Sequence, residues 1–238
     1  MRIVDYRWTL HPISAAGSLT CVGGRFNAGI DIDSRTFAPW PCLYLASDHA
    51  TAYREKFQLA AKQTIEGLTP EELGLCHGHS HTTVFLNGRL SNVFELTPQN
   101  LNPIARILGK IKMPIRAEQI KKKLKIKSGD LRMLTTGKQL YEVAAVHNWR
   151  VLPMQFGLPS ESQILSELIR AAGFEGISYQ SSKGGGSCLA VFVDRLAPES
   201  FLEIPGQHPA GALMRLDQNS SNEIAGWSQL GIKVPNTG

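Results

Sequence analysis

An α+β fold is predicted from three features of the sequence. Short segments with period-two apolar patterning are interspersed with helical segments, without the regular alternation of a doubly wound sheet. Glycine-rich connections separate the segments, as in Val22-Gly-Gly-Arg-Phe-Asn27 and Ser181-Ser-Lys-Gly-Gly-Gly-Ser187. The chain has 238 residues and is 42% hydrophobic and 19% charged, enough to bury a core without disulfide or metal staples.

Met1–Trp8 and Leu43–Ala46 alternate like strands. Asp48 is placed to cap a helix over Ala50–Glu66, with Ala50, Tyr53, Phe57, Ala60 and Ala61 as its apolar stripe. Glu55 lies off that stripe, on a flank beside Ala52 and Leu59. Val84–Leu96 reads as a strand pair around Asn87-Gly88, a strong hairpin signal. Pro98 and Pro103 lead into a basic helical segment. Lys138–Trp149 is apolar enough for a strand or a helix, and its pattern does not decide between them. Pro159-Ser160 opens a helix whose expected face is Ile164, Leu165, Leu168, Ile169 and Ala172, stopped by Gly173. Gly176–Gln180 and Cys188–Val193 read as strands. From Pro205 onward Gly, Asn and Ser dominate, which predicts a loosely held tail over 204–238.

The net charge of +5 is concentrated in one place. Between Asn102 and Met133 ten Lys/Arg stand against Glu118 and Asp130, a local +8. Such a block suits nucleic acid, an anionic membrane surface or an acidic partner. No aromatic residue interleaves the lysines as a base-stacking surface requires, so direct nucleic-acid binding is disfavoured and a solvated helix face is the plain reading. No segment has the apolar length of a membrane span. Asp5 and Arg7 interrupt any signal-peptide pattern. The four cysteines are scattered without a C-x-x-C pair. Together these predict a cytoplasmic protein with reduced thiols.

Several motifs suggest specific chemistry. Cys76-His-Gly-His-Ser-His81 places His77, His79 and His81 on one strand face beside a thiol, but zinc sites draw ligands from separated segments and no second cluster exists. A metal-dependent hydrolase is therefore a subordinate reading, and no metal is expected. Lys183-Gly-Gly-Gly-Ser187 differs from a phosphate-binding P-loop because its lysine precedes the glycines and a strand follows them. No G-x-S-x-G elbow is present. Arg25, after two glycines, has the backbone freedom and planar donors that suit a phosphate or carboxylate. Taken singly, however, Arg25 reads as a turn residue, Tyr44 as a core strand residue, Glu55 as a solvated helix residue and Ser181 as a turn hydroxyl.

In combination these residues form a recognisable pattern. Gly23-Gly-Arg-Phe-Asn27, Leu43-Tyr-Leu-Ala-Ser47 and Ala50-Thr-Ala-Tyr-Arg-Glu55 resemble the opening blocks of the RES domain family. Gly173-Phe-Glu-Gly-Ile-Ser-Tyr-Gln-Ser-Ser-Lys-Gly-Gly-Gly-Ser-Cys-Leu-Ala-Val-Phe192 resembles its closing block, and Leu90–Leu96 its middle strand. The family is named for an Arg, a Glu and a Ser, which fall on Arg25, Glu55 and Ser181, with Ser182 adjacent. Lys183 stands where the family commonly has an arginine, and Gln180 replaces a frequent proline. The resemblance spans roughly residues 3–202. It implies a catalytic domain over 1–203 with a basic helical insertion at about 97–135.

Several expectations follow from the resemblance. The core would be an ADP-ribosyltransferase-like mixed sheet with flanking helices. The activity would be that of a bacterial toxin consuming NAD as substrate, with no cofactor, and countered by an Xre-type antitoxin; a homodimer is a further expectation. Arg25 would hold the pyrophosphate or ribose, and Tyr44 would stack on nicotinamide. Glu55 would stabilise the ribosyl cation, and Ser181 would donate to ribose or phosphate. Asn27, Lys183 and Gly185 would complete the substrate site. The alternative is a catalytically idle RES-like fold that binds a partner through its basic segment, against which Glu55 itself argues.

Overall fold

The computed structural model describes residues 1–5, 10–35, 37–59, 81–112, 115–127, 133–183, 185–207 and 211–231. The chain forms two units. One combines Met1–Phe94 with Asn148–Gly238, and the other is Glu95–His147. Mixed strands and helices make up the chain, as the α+β pattern predicts.

In the first unit, β1 (Arg2–Asp5) is followed by a short helix α1 (Ala16–Leu19), then by β2 (Gly23–Gly24) and β3 (Asn27–Ala28), which pair as an antiparallel hairpin. β4 (Cys42–Ala46) leads into α2 (His49–Phe57). Asp48 caps α2 as expected, accepting from the Thr51 N–H at 2.8 Å. The helix stops at Phe57, however, because Gln58 turns left-handed (φ 58°) and its N–H closes on the Arg54 carbonyl. The expected continuation to Glu66 runs into residues 60–66, outside the described residues.

β5 (His81–Val84) pairs antiparallel with β1. β6 (Asn87–Arg89) and β7 (Val93–Glu95) follow. The hairpin expected around Asn87-Gly88 is replaced by an edge contact: β6 pairs with β10 (Phe201–Glu203), with Gly88 opposite Leu202. A Cβ on Gly88 would overlap the Phe201 carbonyl. The glycine serves close backbone approach there and does not make a turn.

The sheet that organises this unit has the order β4-β9-β8-β7, with β8 (Gly176–Gln180) and β9 (Ser187–Phe192). β9 runs antiparallel to both neighbours, placing Tyr44 opposite Ala190 and Tyr179 opposite Cys188. Alternation sends Leu43, Leu45, Leu189 and Val191 to one face, where they join Ile13, Leu19, Leu202 and Val193 in the larger core cluster. The opposite face carries Ala46, Cys188 and Tyr179 under α2, packed against Ala52, Tyr53 and Phe57.

The expected loose tail is corrected over 211–231. β11 (Arg215–Leu216) pairs with β10, and Leu216, Ile224, Ala225 and Trp227 are core residues. The Ala15 N–H donates to the Ile224 carbonyl at 2.7 Å, and Ser14 Oγ to Gln229 Oε1 at 2.7 Å. The composition is that of a tail, but a few apolar residues, spaced by a turn at Asp217–Ser220, suffice to plug the core.

The second unit holds α3 (Pro98–Leu108), α4 (Ile115–Lys123) and α5 (Gly137–Tyr141), the last continuing as a π-helical turn over Glu142–Val146. Lys138–Trp149 is thus largely helical. Leu101, Ala105, Leu140 and Ala144 are buried, and Gly137 fits flush against α3, where a Cβ would strike the Pro98 carbonyl. The basic segment falls within this unit, with Lys122, Lys123 and Lys125 exposed.

Back in the first unit, α6 (Val151–Phe156) precedes α7 (Glu161–Ala171), and α8 (Ser221–Ile224) lies near the C-terminus. On α7 the expected apolar face is rotated. Ile164 and Leu168 are exposed, while Gln163 and Ser166 are buried beside Leu165 and Ile169. The reason lies in the site.

Candidate active site

Glu55 and Ser181 are 126 residues apart, yet the Ser181 hydroxyl donates to Glu55 Oε1 at 2.6 Å. Two local structures produce that meeting. α2 carries Glu55 on the flank that faces the end of β8, and β8 delivers Ser181 directly after Gln180. The Ser181 N–H closes on the Gly186 carbonyl, and its Oγ accepts the Lys183 N–H at 3.0 Å. The hydroxyl is thereby oriented from one side and spends its proton on the carboxylate. In this structure the Ser181 hydroxyl positions Glu55. Adjacent Ser182 is exposed.

The loop between β8 and β9 is held against the start of α2. The Ser187 N–H donates to Ser47 Oγ at 3.1 Å, and Ser47 and Thr51 both donate to Asp48 Oδ2 at 2.8 Å. A Cβ at Gly186 would collide with Asp48, Thr51 and Ser47, so glycine permits this docking. Gly185 adopts φ 76° and is exposed, with open space where a Cβ would stand. It shapes the turn; Lys183 is half-buried beside Ser181.

Arg25 sits at the two-residue tip of the β2–β3 hairpin. Its neighbour Phe26 is fully buried and meets the Tyr179 ring edge-on at 4.8 Å. The Tyr44 hydroxyl accepts the Phe26 N–H and donates to Asn27 Oδ1, both at 2.9 Å. A Cβ on Gly24 would overlap that hydroxyl. Asn27 has no exposed surface, and its amide also bonds the Gly24 N–H and the Ser18 and Trp40 carbonyls. Asn27 is therefore a brace inside the hairpin, and its expected place in the substrate site is corrected. Tyr44 likewise braces the hairpin through its hydroxyl.

The rotated face of α7 completes this support. Gln163 Nε2 lies within 3.0 Å of the Val22, Gly24 and Asn27 carbonyls, and Ser166 Oγ donates to the Phe26 carbonyl at 2.7 Å. A tight hairpin leaves carbonyls turned inward, and buried acceptors need donors. Periodicity alone misses both residues, although the Ser160-x-x-Gln163 capping box was a visible signal for one of them.

Burial lowers the proton affinity of the Arg25 guanidinium. Tyr179, Glu55 and Tyr44 act electrostatically in the opposite sense, and the positive charge of Arg150 reinforces the lowering. These groups thus share one electrostatic neighbourhood. Burial also raises the Tyr179 phenol well above its ordinary range, with Glu55 among the contributors, so Tyr179 remains a neutral donor. Cys188, beneath the site, is pushed up to about 12 by burial and by Glu55. It stays a thiol at neutral pH and is no nucleophile. In the sequence Tyr179 belongs to the closing block of the resemblance, but a tyrosine on an alternating strand carries no pattern of its own that assigns it a role.

Of the histidine cluster, only His81 is described; it packs edge-on against Tyr53 and Phe57. Cys76, His77 and His79 lie outside the described residues. Among the described residues, no helix is long and apolar enough to cross a membrane. No family model, curated protein or solved structure matches the chain.

The hairpin brace makes a measurable prediction. Tyr44→Phe should cost about 1–3 kcal/mol, because it leaves the Phe26 N–H without its acceptor and Asn27 Oδ1 with the Gly24 N–H as its one remaining donor. Urea unfolding would read this, and an unchanged midpoint would show that the hydroxyl braces nothing.

Proposed function

We propose that this protein is an NAD-degrading enzyme of the RES type, cleaving the nicotinamide–ribose bond on an ADP-ribosyltransferase-like core. The observation that carries the reading is the Ser181–Glu55 hydrogen bond, with Arg25 within electrostatic reach of Glu55. Two residues that resemble members of the family's named trio meet in this bond across 126 positions of sequence, and the third, Arg25, feels the charge of Glu55.

The chemistry suits a single carboxylate. When the glycosidic C–N bond breaks, the bonding pair leaves with nicotinamide and neutralises the pyridinium, so no acid is needed for the leaving group. Positive charge develops on the ribose, as in glycoside hydrolysis. Glu55, held by Ser181, would face that charge with a preoriented oxygen. Arg25 would bind phosphate oxygens, and Tyr179 would donate a hydrogen bond without ionising. The oxygen of water, phosphate or a protein side chain would then bond to the ribose carbon, and the proton that a water or hydroxyl acceptor carries would pass to solvent. A cytoplasmic toxin restrained by an Xre-type antitoxin fits this reading, with the exposed lysines of α4 as a surface for an acidic partner.

Incubation of the protein with NAD, with and without phosphate, tests the proposal. Nicotinamide should be released and an ADP-ribose product formed, whose identity names the acceptor. Folded protein that releases no nicotinamide under either condition would favour the idle binding module.

A further inference from the structure

We infer that Arg150 is a second cation of this site, positioned to bind a diphosphate group together with Arg25. The inference rests on the dinucleotide-cleaving reading above and deepens it. Arg150 follows the buried Trp149, and its guanidinium lies 4.9 Å from the centre of that ring. Its Nη1 donates to Gln58 Oε1 at 3.3 Å, and Gln58 Nε2 donates to the Glu55 carbonyl at 2.7 Å. A single amide therefore ties Arg150 to the helical turn that carries Glu55. From the other side, Arg150 and Arg25 are close enough to repel each other electrostatically.

Charge balance gives this arrangement a purpose. Arg25 and Glu55 offset each other, so alone they offer no net charge to an anion. A diphosphate brings two negative charges. Among the described residues, Arg150 forms no salt bridge with a carboxylate, so its charge remains available. Two guanidinium groups within electrostatic reach of each other repel when the site is empty, and a bound dianion relieves that repulsion. The Trp149 face and the Gln58 amide hold the Arg150 fork in place, which reduces the ordering cost on binding.

The test uses the whole chain and needs no turnover. Calorimetric titrations with ADP-ribose and, separately, inorganic pyrophosphate would compare wild type with Arg150→Gln and Arg150→Lys. Loss of a charge-assisted bidentate contact should weaken ADP-ribose binding about 10–100-fold in the Gln variant. The Lys variant should recover part of that loss, because it keeps the charge without the fork. The exposed position predicts unchanged melting temperatures for both variants. Binding of both ligands by the Gln variant within twofold of wild type would overturn the inference. Wild type that binds pyrophosphate in an Arg150-dependent way, yet not ADP-ribose, would uphold the anion site and remove the dinucleotide reading. Wild type that binds neither ligand would overturn both.

Discussion

Glu55→Gln is expected to lower NAD turnover by about 10²–10³-fold with little change in KM, the usual loss for a preorganised electrostatic group. The substitution is nearly isosteric, and a glutamine carbonyl can still accept the Ser181 hydroxyl that Glu55 Oε1 now accepts at 2.6 Å. What disappears is the negative charge, which matters most once the glycosidic bond is breaking. Glu55 is half-buried on a flank of α2 beside Ala52 and off the stripe of Tyr53 and Phe57, and the substitution keeps its size, so folding should survive. Arg25→Ala provides the contrast. Arg25 would hold phosphates in the ground state and the transition state alike, so its loss should raise KM as well as lower kcat. Initial rates of nicotinamide release across NAD concentrations separate the two patterns. A Glu55→Gln protein with near wild-type turnover would sink the assignment of Glu55.

The parts of this site that local sequence reveals are those set by local physics. Alternation in Leu43–Ala46 and Cys188–Phe192 marks strands because a pleat sends successive side chains to opposite faces, and the structure pairs those two segments. Asp48 marks the start of α2 because an N-cap is satisfied within its own turn. Glu55, off the apolar stripe, reads locally as a solvated helix residue, and only its combination with the other motif blocks marks it. What stayed hidden depends on partners far along the chain. Gln163 and Ser166 occupy buried positions on α7 because the hairpin around Arg25, about 140 residues away, turns carbonyls toward them. Periodicity weighs apolar side chains and cannot detect that demand, so it places the buried face on Ile164 and Leu168. Gly88 follows the same logic: a glycine needed for close approach to β10 has the local signature of a turn. In the C-terminal stretch, composition outweighs three or four large apolar residues in any local average, although Leu216, Ile224 and Trp227 are what the core requires.

Glu175 is the clearest residue of this hidden kind. Its carboxylate is almost fully buried at the head of β8. Oε2 accepts the Ser91 and Asn92 N–H groups at 2.6 and 2.9 Å, and Oε1 accepts the Ala197 N–H at 2.5 Å. Burial works against the charged form, but the Ser200 hydroxyl and these three N–H groups outweigh it and hold the carboxyl below its ordinary value. A group with a depressed folded-state pKa contributes stability that is complete above the unfolded value. That stability is lost as pH falls through the folded one. Glu175→Gln removes the charge and, in either amide orientation, turns an NH2 against at least one backbone N–H. The expected cost is about 3 kcal/mol at pH 7, a fall in Tm of roughly 6–12 °C for a chain of this size. Because the variant lacks the titrating carboxyl, its deficit relative to wild type should shrink as the pH is lowered below the ordinary range of Glu. Urea unfolding of both proteins at neutral and acidic pH measures this convergence. A deficit that stayed constant with pH would mean that the glutamine costs stability through its shape alone, and that the Glu175 charge does not pin β8 to the turns at Ser91 and Ala197.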